Sequence, residues 1–233
     1  MNEKLKTNLD TDFLKIIAII SMLIDHVGSE FFPQYPIFRW IGRLAFPIFC
    51  YCMTVGMLYT RDIKKYLMRL GIFALISQPF WILAFNSQDI IGNLLNFNIF
   101  FTLFFSLLTV WGAKEHKWWL FIGGVLVLSF INFDYSMGGV ILMLIFYLCR
   151  NKPWLGAILY FLSYIPALWT GSIEDPLSCI IGTHAIGFEF FALFAMPFIF
   201  LRTNTKIKIN RWFFYIFYSA HLLLIYLIGL FVK

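Results

Sequence analysis

Charge is what this chain has least of. Charged residues make up 13% of its 233 positions, about half the share of an ordinary soluble domain, and too few to solvate the surface of a soluble protein this size. Cysteine is sparse as well. Cys50, Cys52, Cys149 and Cys179 show no metal-ligand spacing, and they read as buried soft hydrophobes; no metal is expected. There is no glycine-rich phosphate loop, no readable Ser-His-Asp spacing, and no internal repeat of the kind that many transporters carry. The net charge of +6 follows from the topology argued below and gives no reason to invoke nucleic acid.

What is present is apolar. Hydrophobic residues reach 61% and aromatics 21%. Runs of about 17–25 apolar residues, the length an α-helix needs to cross a ~30 Å hydrocarbon core, recur along the chain. A β-barrel would show strict alternation over ten-residue segments, whereas runs such as 119–130 and 213–232 are apolar on every face. The predicted fold is therefore an all-α, polytopic transmembrane bundle of about nine spans (8–10): 13–32, 36–59, 63–85, 97–113, 118–132, 135–149, 153–170, 177–201 and 211–231. The span 135–149 is short enough to be re-entrant. Residues 1–12 read as a polar, frayed tail and not as a signal peptide, followed by one transmembrane domain over 13–233.

Orientation follows from the basic residues, which concentrate in cytoplasmic loops. Lys4, Lys6, Lys15, Arg61, Lys64, Lys65, Arg69, Lys114, Lys117, Arg150, Lys152, Arg202, Lys206, Lys208 and Arg211 fall on one side, 15 of the 18 in the chain. Arg39, Arg43 and Lys233 fall on the other, with Glu30, Asp89, Asp134, Glu174 and Asp175. The expected topology is a multi-pass cell-membrane protein with a cytoplasmic N-terminus and an outer C-terminus.

Against that apolar background, polar residues inside the spans stand out. An ionised side chain near the bilayer centre costs roughly 2.5–3.5 kcal/mol on insertion scales, yet Asp25 and His26 sit side by side in the first run. Lys15 and His26 are eleven residues apart, so they share one helical stripe, about 16 Å apart along the axis. Asp25 is rotated about 100° from His26 and is expected to face a neighbouring helix, where Arg43 lies at similar depth. That pair reads either as a structural clamp between helices or as the support of a cavity in which His26 works. Lys64, Lys65 and Arg69 open the third span. They read as ordinary snorkelling anchors or, with Lys15, as an anion site. Gln78-Pro79 marks an expected kink in that span. Asn98, Thr102, Ser106 and Thr109 form one polar stripe that fits hydrogen-bonded packing or a cavity wall. His184 and Glu189 lie in the eighth span, and Tyr218 and His221 are three residues apart in the ninth. Three of the four histidines are thus intramembrane.

The segments DFLKIIAIISMLIDHVG, FRWIGRLAFPIFCYCMTVGM, TRDIKKYLMRLGIFALISQPF, FNIFFTLFFSLL, FDYSMGGVILMLIFYL and RWFFYIFYSAHLLLIYLI resemble, in this order, the TraX family of membrane proteins. The resemblance covers most of the chain and is least clear over 153–201. It implies a polytopic enzyme that uses acetyl-CoA; the family's namesake acetylates the N-terminus of conjugative pilin. The pattern is also distantly similar to the acyltransferase-3 family and to the enzyme that acetylates heparan glucosamine. Their Asp-x-x-Arg followed by His maps onto Asp12-Phe13-Leu14-Lys15 and His26, with Lys in place of Arg. Their second-helix GR motif carries over to Arg43.

The resemblance implies an acetyl-CoA-dependent O- or N-acetyltransferase. Lys15, Lys64, Lys65 and Arg69 would hold the donor's phosphates, and His26 would act as general base or acetyl carrier. Asp25 and Arg43 would orient the site, while Asn98, Thr102, His184, Glu189, Tyr218 and His221 would line a substrate cavity. The acceptor, a surface glycan, a peptide or a pilin-like protein, would approach from outside. The alternatives are a proton-coupled transporter or flippase and a non-catalytic assembly factor. The odd span count and the lack of an inverted repeat speak against a transporter.

Overall fold

A computed structural model describes residues 6–232; Lys4 and Lys233, which enter the orientation above, and the first five residues of the expected tail lie outside them. The chain is mostly helical and divides into two compact units, Met1–Cys52 with Leu148–Ile209, and Met53–Tyr147 with Asn210–Lys233.

The first unit is built around α1 (Thr11–Phe31). Its buried face runs through Leu14, Ala18, Ser21, Met22 and Asp25 at helical spacing, and Asp25 and His26 both belong to it. After a short turn comes α2 (Ile37–Gly42), then α3 (Ala45–Tyr59). These two occupy the expected span 36–59 but are interrupted at Arg43-Leu44. Pro47 has no N–H to give to the Arg43 carbonyl, so the helix cannot run through unbroken. The residues before α1 are not frayed from Thr7 onward. Thr7 and Asn8 are buried; the Thr7 and Tyr51 hydroxyls are 2.7 Å apart, and Asn8 Nδ2 donates to the Phe198 carbonyl.

Later in this unit the expected spans break up. The stretch 153–170 forms α8 (Pro153–Tyr164) and the four-residue α9 (Ala167–Thr170). The stretch 177–201 is not one helix. It opens as an antiparallel hairpin of β1 (Cys179–Ile181) and β2 (His184–Ile186), with Ile181 opposite His184. A 3-10 helix (Phe188–Ala195) and the short α10 (Met196–Phe200) follow. The two-residue turn is Gly182-Thr183, and Gly182 has φ +63°, as a II′ turn requires of its first central residue. An apolar tally reads Cys-Ile-Ile and Ala-Ile as membrane-spanning; the glycine turn between them folds them back on each other.

The second unit holds α4 (Ile63–Phe85), α5 (Ile99–Lys114), α6 (Trp118–Phe130), α7 (Gly138–Leu148) and α11 (Arg211–Val232). Among the described residues, three helical stretches are long and apolar enough to cross a membrane: Ile37–Tyr59, Ile63–Phe85 and Arg211–Val232. α5, α6 and α7 are apolar but shorter, at 16, 13 and 11 residues. Pro79 lies inside α4, and Gln78 beside it ties α4 to α5. Gln78 Oε1 accepts from the Asn98 backbone N–H at 3.0 Å and from its side-chain amide at 2.8 Å.

Candidate functional site

The site begins with a close approach of α1 and α2 that only glycine permits. A Cβ on Gly42 would run into the Asp25 carboxylate, and a Cβ on Gly28 into the Phe38 ring. The two glycines let the helices meet with Asp25 held against the α2 backbone.

Two guanidinium groups close on that carboxylate. Arg39 Nη1 donates to Asp25 Oδ2 at 2.7 Å, and Arg43 Nη2 reaches both oxygens at 3.1 and 3.2 Å. Arg39 and Arg43 are one helical turn apart, so they project on one side of the chain. Arg43 and Asp25 are both buried; Arg39 is partly exposed. Arg43 also faces the 3-10 helix, where its Nη1 lies 3.5 Å from Glu189 Oε1 and its guanidinium sits 4.9 Å from the Phe188 ring centroid. Trp40 fixes this side of α2. It stacks on Phe191 with centroids 4.5 Å apart and rings 4° from parallel, and its indole N–H donates to the Leu177 carbonyl at 2.7 Å.

The result is a network of two cations and two carboxylates whose centre, Asp25 and Arg43, is buried, with His26 on the next residue of α1 and itself buried. Burial strengthens the Asp25–Arg43 contact and raises the cost of removing either partner, whereas Arg39 and Glu189 are more exposed and their contacts are screened. Formally the two cations balance the two carboxylates.

The other residues singled out in the sequence have varied surroundings. Lys15 Nζ lies 3.3 Å from Asp12 Oδ1, so the Asp-x-x-Lys pattern is an i,i+3 ion pair. His184 sits on β2 with Nε2 2.6 Å from the Leu168 carbonyl, fastening the hairpin. The remaining expected site residues belong to the second unit. Lys64 is exposed, Lys65 pairs with Asp62 at 3.4 Å, and Arg69 lies 5.9 Å from the Tyr66 ring centroid. Asn98 caps α5 through the Phe100 N–H and gives its amide to Ala74 and Gln78. Thr102 donates to the Asp134 carbonyl. A Cβ on Gly139 would strike Ser106, and one on Gly124 would strike Thr109, so the polar stripe of α5 is a helix-packing seam against α6 and α7. Tyr218 packs on Phe100 at 4.4 Å, and His221 Nδ1 lies 2.9 Å from the Phe217 carbonyl.

Arg39 is the functional candidate that sequence reasoning passes over. Inside the expected span 36–59 it counts only toward orientation, although its i,i+4 spacing to Arg43 puts both on one side of the helix.

A family model described as TraX protein matches residues 10–229. Among curated proteins, "Probable fimbrial assembly protein FimC, serogroup H1" of Dichelobacter nodosus is 39% identical over 106 residues, covering 42% of this chain and 43% of that protein. An uncharacterized protein of Rickettsia prowazekii (strain Madrid E) is 50% identical over 46 residues, 20% of this chain and 18% of that protein. The chain therefore aligns with less than half the length of either relative. No solved structure matches it.

Proposed function

The chain belongs to the TraX family, and from that premise we propose that it is an integral membrane acetyltransferase. It moves an acetyl group from cytoplasmic acetyl-CoA to an amine or hydroxyl on an acceptor at the outer side. In this reading the chain crosses the cell membrane several times with its N-terminus inside, an orientation supported by the bias of its basic residues. The fimbrial-assembly name of the Dichelobacter relative supports a pilin-type acceptor ahead of a surface glycan or another peptide.

The observation that carries the reading is the convergence of Arg39 and Arg43 on buried Asp25, next to His26. The thioester donor supplies an activated carbonyl. His26 takes the proton from the acceptor's nitrogen or oxygen, a role worth typically 10²–10⁴-fold, and later returns it to the departing thiolate. Arg43, pinned by Asp25 and Glu189, offers N–H groups to the developing oxyanion without reorganising. Asp25 holds both arginines and does not itself touch the acetyl group. For the donor's phosphates the first unit offers Lys15, which must share its charge with Asp12.

A non-catalytic assembly factor also fits the relative's name. Acetyl-CoA binding by the purified full chain in neutral-lipid nanodiscs separates the two. The enzyme reading expects saturable binding and slow release of free CoA thiol; no binding at millimolar acetyl-CoA would rule it out.

A further inference from the structure

From Phe190 to the C-terminus the sequence contains no Asp or Glu, yet it places Arg202, Lys206 and Lys208 within seven residues. In the first unit these residues lie on a strap, 202–209, with neither helix nor strand. The strap is clasped to the start of α1. Asp10 Oδ2 accepts from the Thr205 N–H at 2.7 Å, from the Thr205 hydroxyl at 2.8 Å and from the Thr203 hydroxyl at 3.4 Å. Asp12 Oδ2 accepts from the Ile209 N–H at 3.4 Å, and Asn8 Oδ1 from the Thr203 N–H at 3.4 Å. Arg202 Nε donates to the Lys6 carbonyl at 3.0 Å.

These acids therefore hold the strap by its amides and threonine hydroxyls and not by its lysines. Among the described residues, Lys206 and Lys208 are exposed and form no ion pair. Lys206 moreover has φ +59°, a left-handed conformation that a residue with a Cβ rarely adopts and that glycine or asparagine would take more readily. A cation thus stands at a position where the backbone alone favours another residue.

We propose that this strap is a phosphate-binding element, in which Lys206, Lys208 and Arg202 take up a phosphate group presented at the membrane surface. Ammonium groups act as point-charge phosphate binders, and a juxtamembrane basic cluster attracts anionic surfaces. The phosphate has two sources of the same chemistry, the nucleotide end of a CoA-type donor or the headgroup of an anionic phospholipid. The first source rests on the acetyltransferase reading; the second does not.

The test uses the full chain in nanodiscs. Free CoA binding is measured in phosphatidylcholine discs, and retention of phosphatidylglycerol over phosphatidylcholine is measured by native mass spectrometry. The variants are K206A/K208A, the charge-keeping K206R/K208R, and K206G, which relaxes the backbone while removing one charge. The expected result is at least a tenfold loss in one of the two readouts for K206A/K208A, recovery in K206R/K208R, and an intermediate loss in K206G. Loss of CoA affinity assigns the strap to the donor. Loss of phosphatidylglycerol retention alone assigns it to the headgroup. Wild-type values for K206A/K208A in both readouts, or a wild-type protein that shows neither CoA binding nor lipid preference, would overturn the proposal. CoA binding that is intact and insensitive to K206A/K208A, with lipid retention also unchanged, would sink the strap while leaving the acetyltransferase standing.

Discussion

Asp25→Ala is the perturbation that probes the buried network most sharply. The substitution leaves Arg43, whose side chain is 7% exposed, with Glu189 at 3.5 Å as its remaining carboxylate. Breaking a buried pair by removing one partner costs about 3–5 kcal/mol. For a chain of this size that corresponds to a fall in Tm of roughly 6–20 °C. Arg39 is 24% exposed, so Arg39→Ala, whose lost contact is discounted for solvent screening, costs only about 1 kcal/mol. The decisive comparison is the double variant Asp25→Ala/Arg43→Met. Replacing both partners of a buried pair by apolar groups is often close to neutral, so the double variant should be more stable than Asp25→Ala alone. Thermal unfolding in one detergent, followed by intrinsic fluorescence for the four proteins of the cycle, measures this. A double variant as unstable as the sum of its singles would show that Asp25 and Arg43 are not energetically coupled.

Other consequences follow from the same geometry. Gly42→Ala and Gly28→Ala should each lower Tm, because the new methyl meets Asp25 or Phe38, whereas Gly123→Ala, with nothing within 4 Å of the added carbon, should raise stability by roughly 0.5–1 kcal/mol in the same unfolding assay. Asn98→Ala removes the α5 cap and should cost about 0.5–2 kcal/mol, with amide exchange accelerated first at Phe100. Hydrogen bonds from Thr205 hold the Asp10 carboxyl below its ordinary value of 3.8. A lowered folded-state pKa stabilises above the unfolded value and is lost as pH falls through the folded one. Protection of the Thr205 amide relative to an Asp10→Asn control should therefore persist at pH 5 and vanish in acid below 3.8.

The helical class and the pairing of Asp25 with Arg43 were legible because both rest on periodicity and depth: a residue 100° off the Lys15–His26 stripe must face something else. Arg39 was missed because, one turn before Arg43 and near the outer end of the expected span 36–59, it reads as a cation facing the outer surface; its i,i+4 spacing to Arg43 is what turns it toward Asp25. The hairpin at 179–186 was hidden because hydropathy has no term for a glycine turn. The α5 stripe was ambiguous until Gly124 and Gly139 were seen across from Thr109 and Ser106; small residues on the two following helices decide between a seam and a cavity wall. The packing of Thr7 and Asn8 depends on partners near residues 198–203, a separation no local pattern reveals.

The most direct test of the central claim is transfer of radiolabelled acetyl groups from acetyl-CoA into surface material by membranes carrying the wild-type chain, His26→Ala or His26→Gln. Incorporation by the wild type is expected, with a loss of at least about 100-fold in both variants and unchanged Tm for His26→Gln. Undiminished transfer by the two His26 variants would contradict that claim.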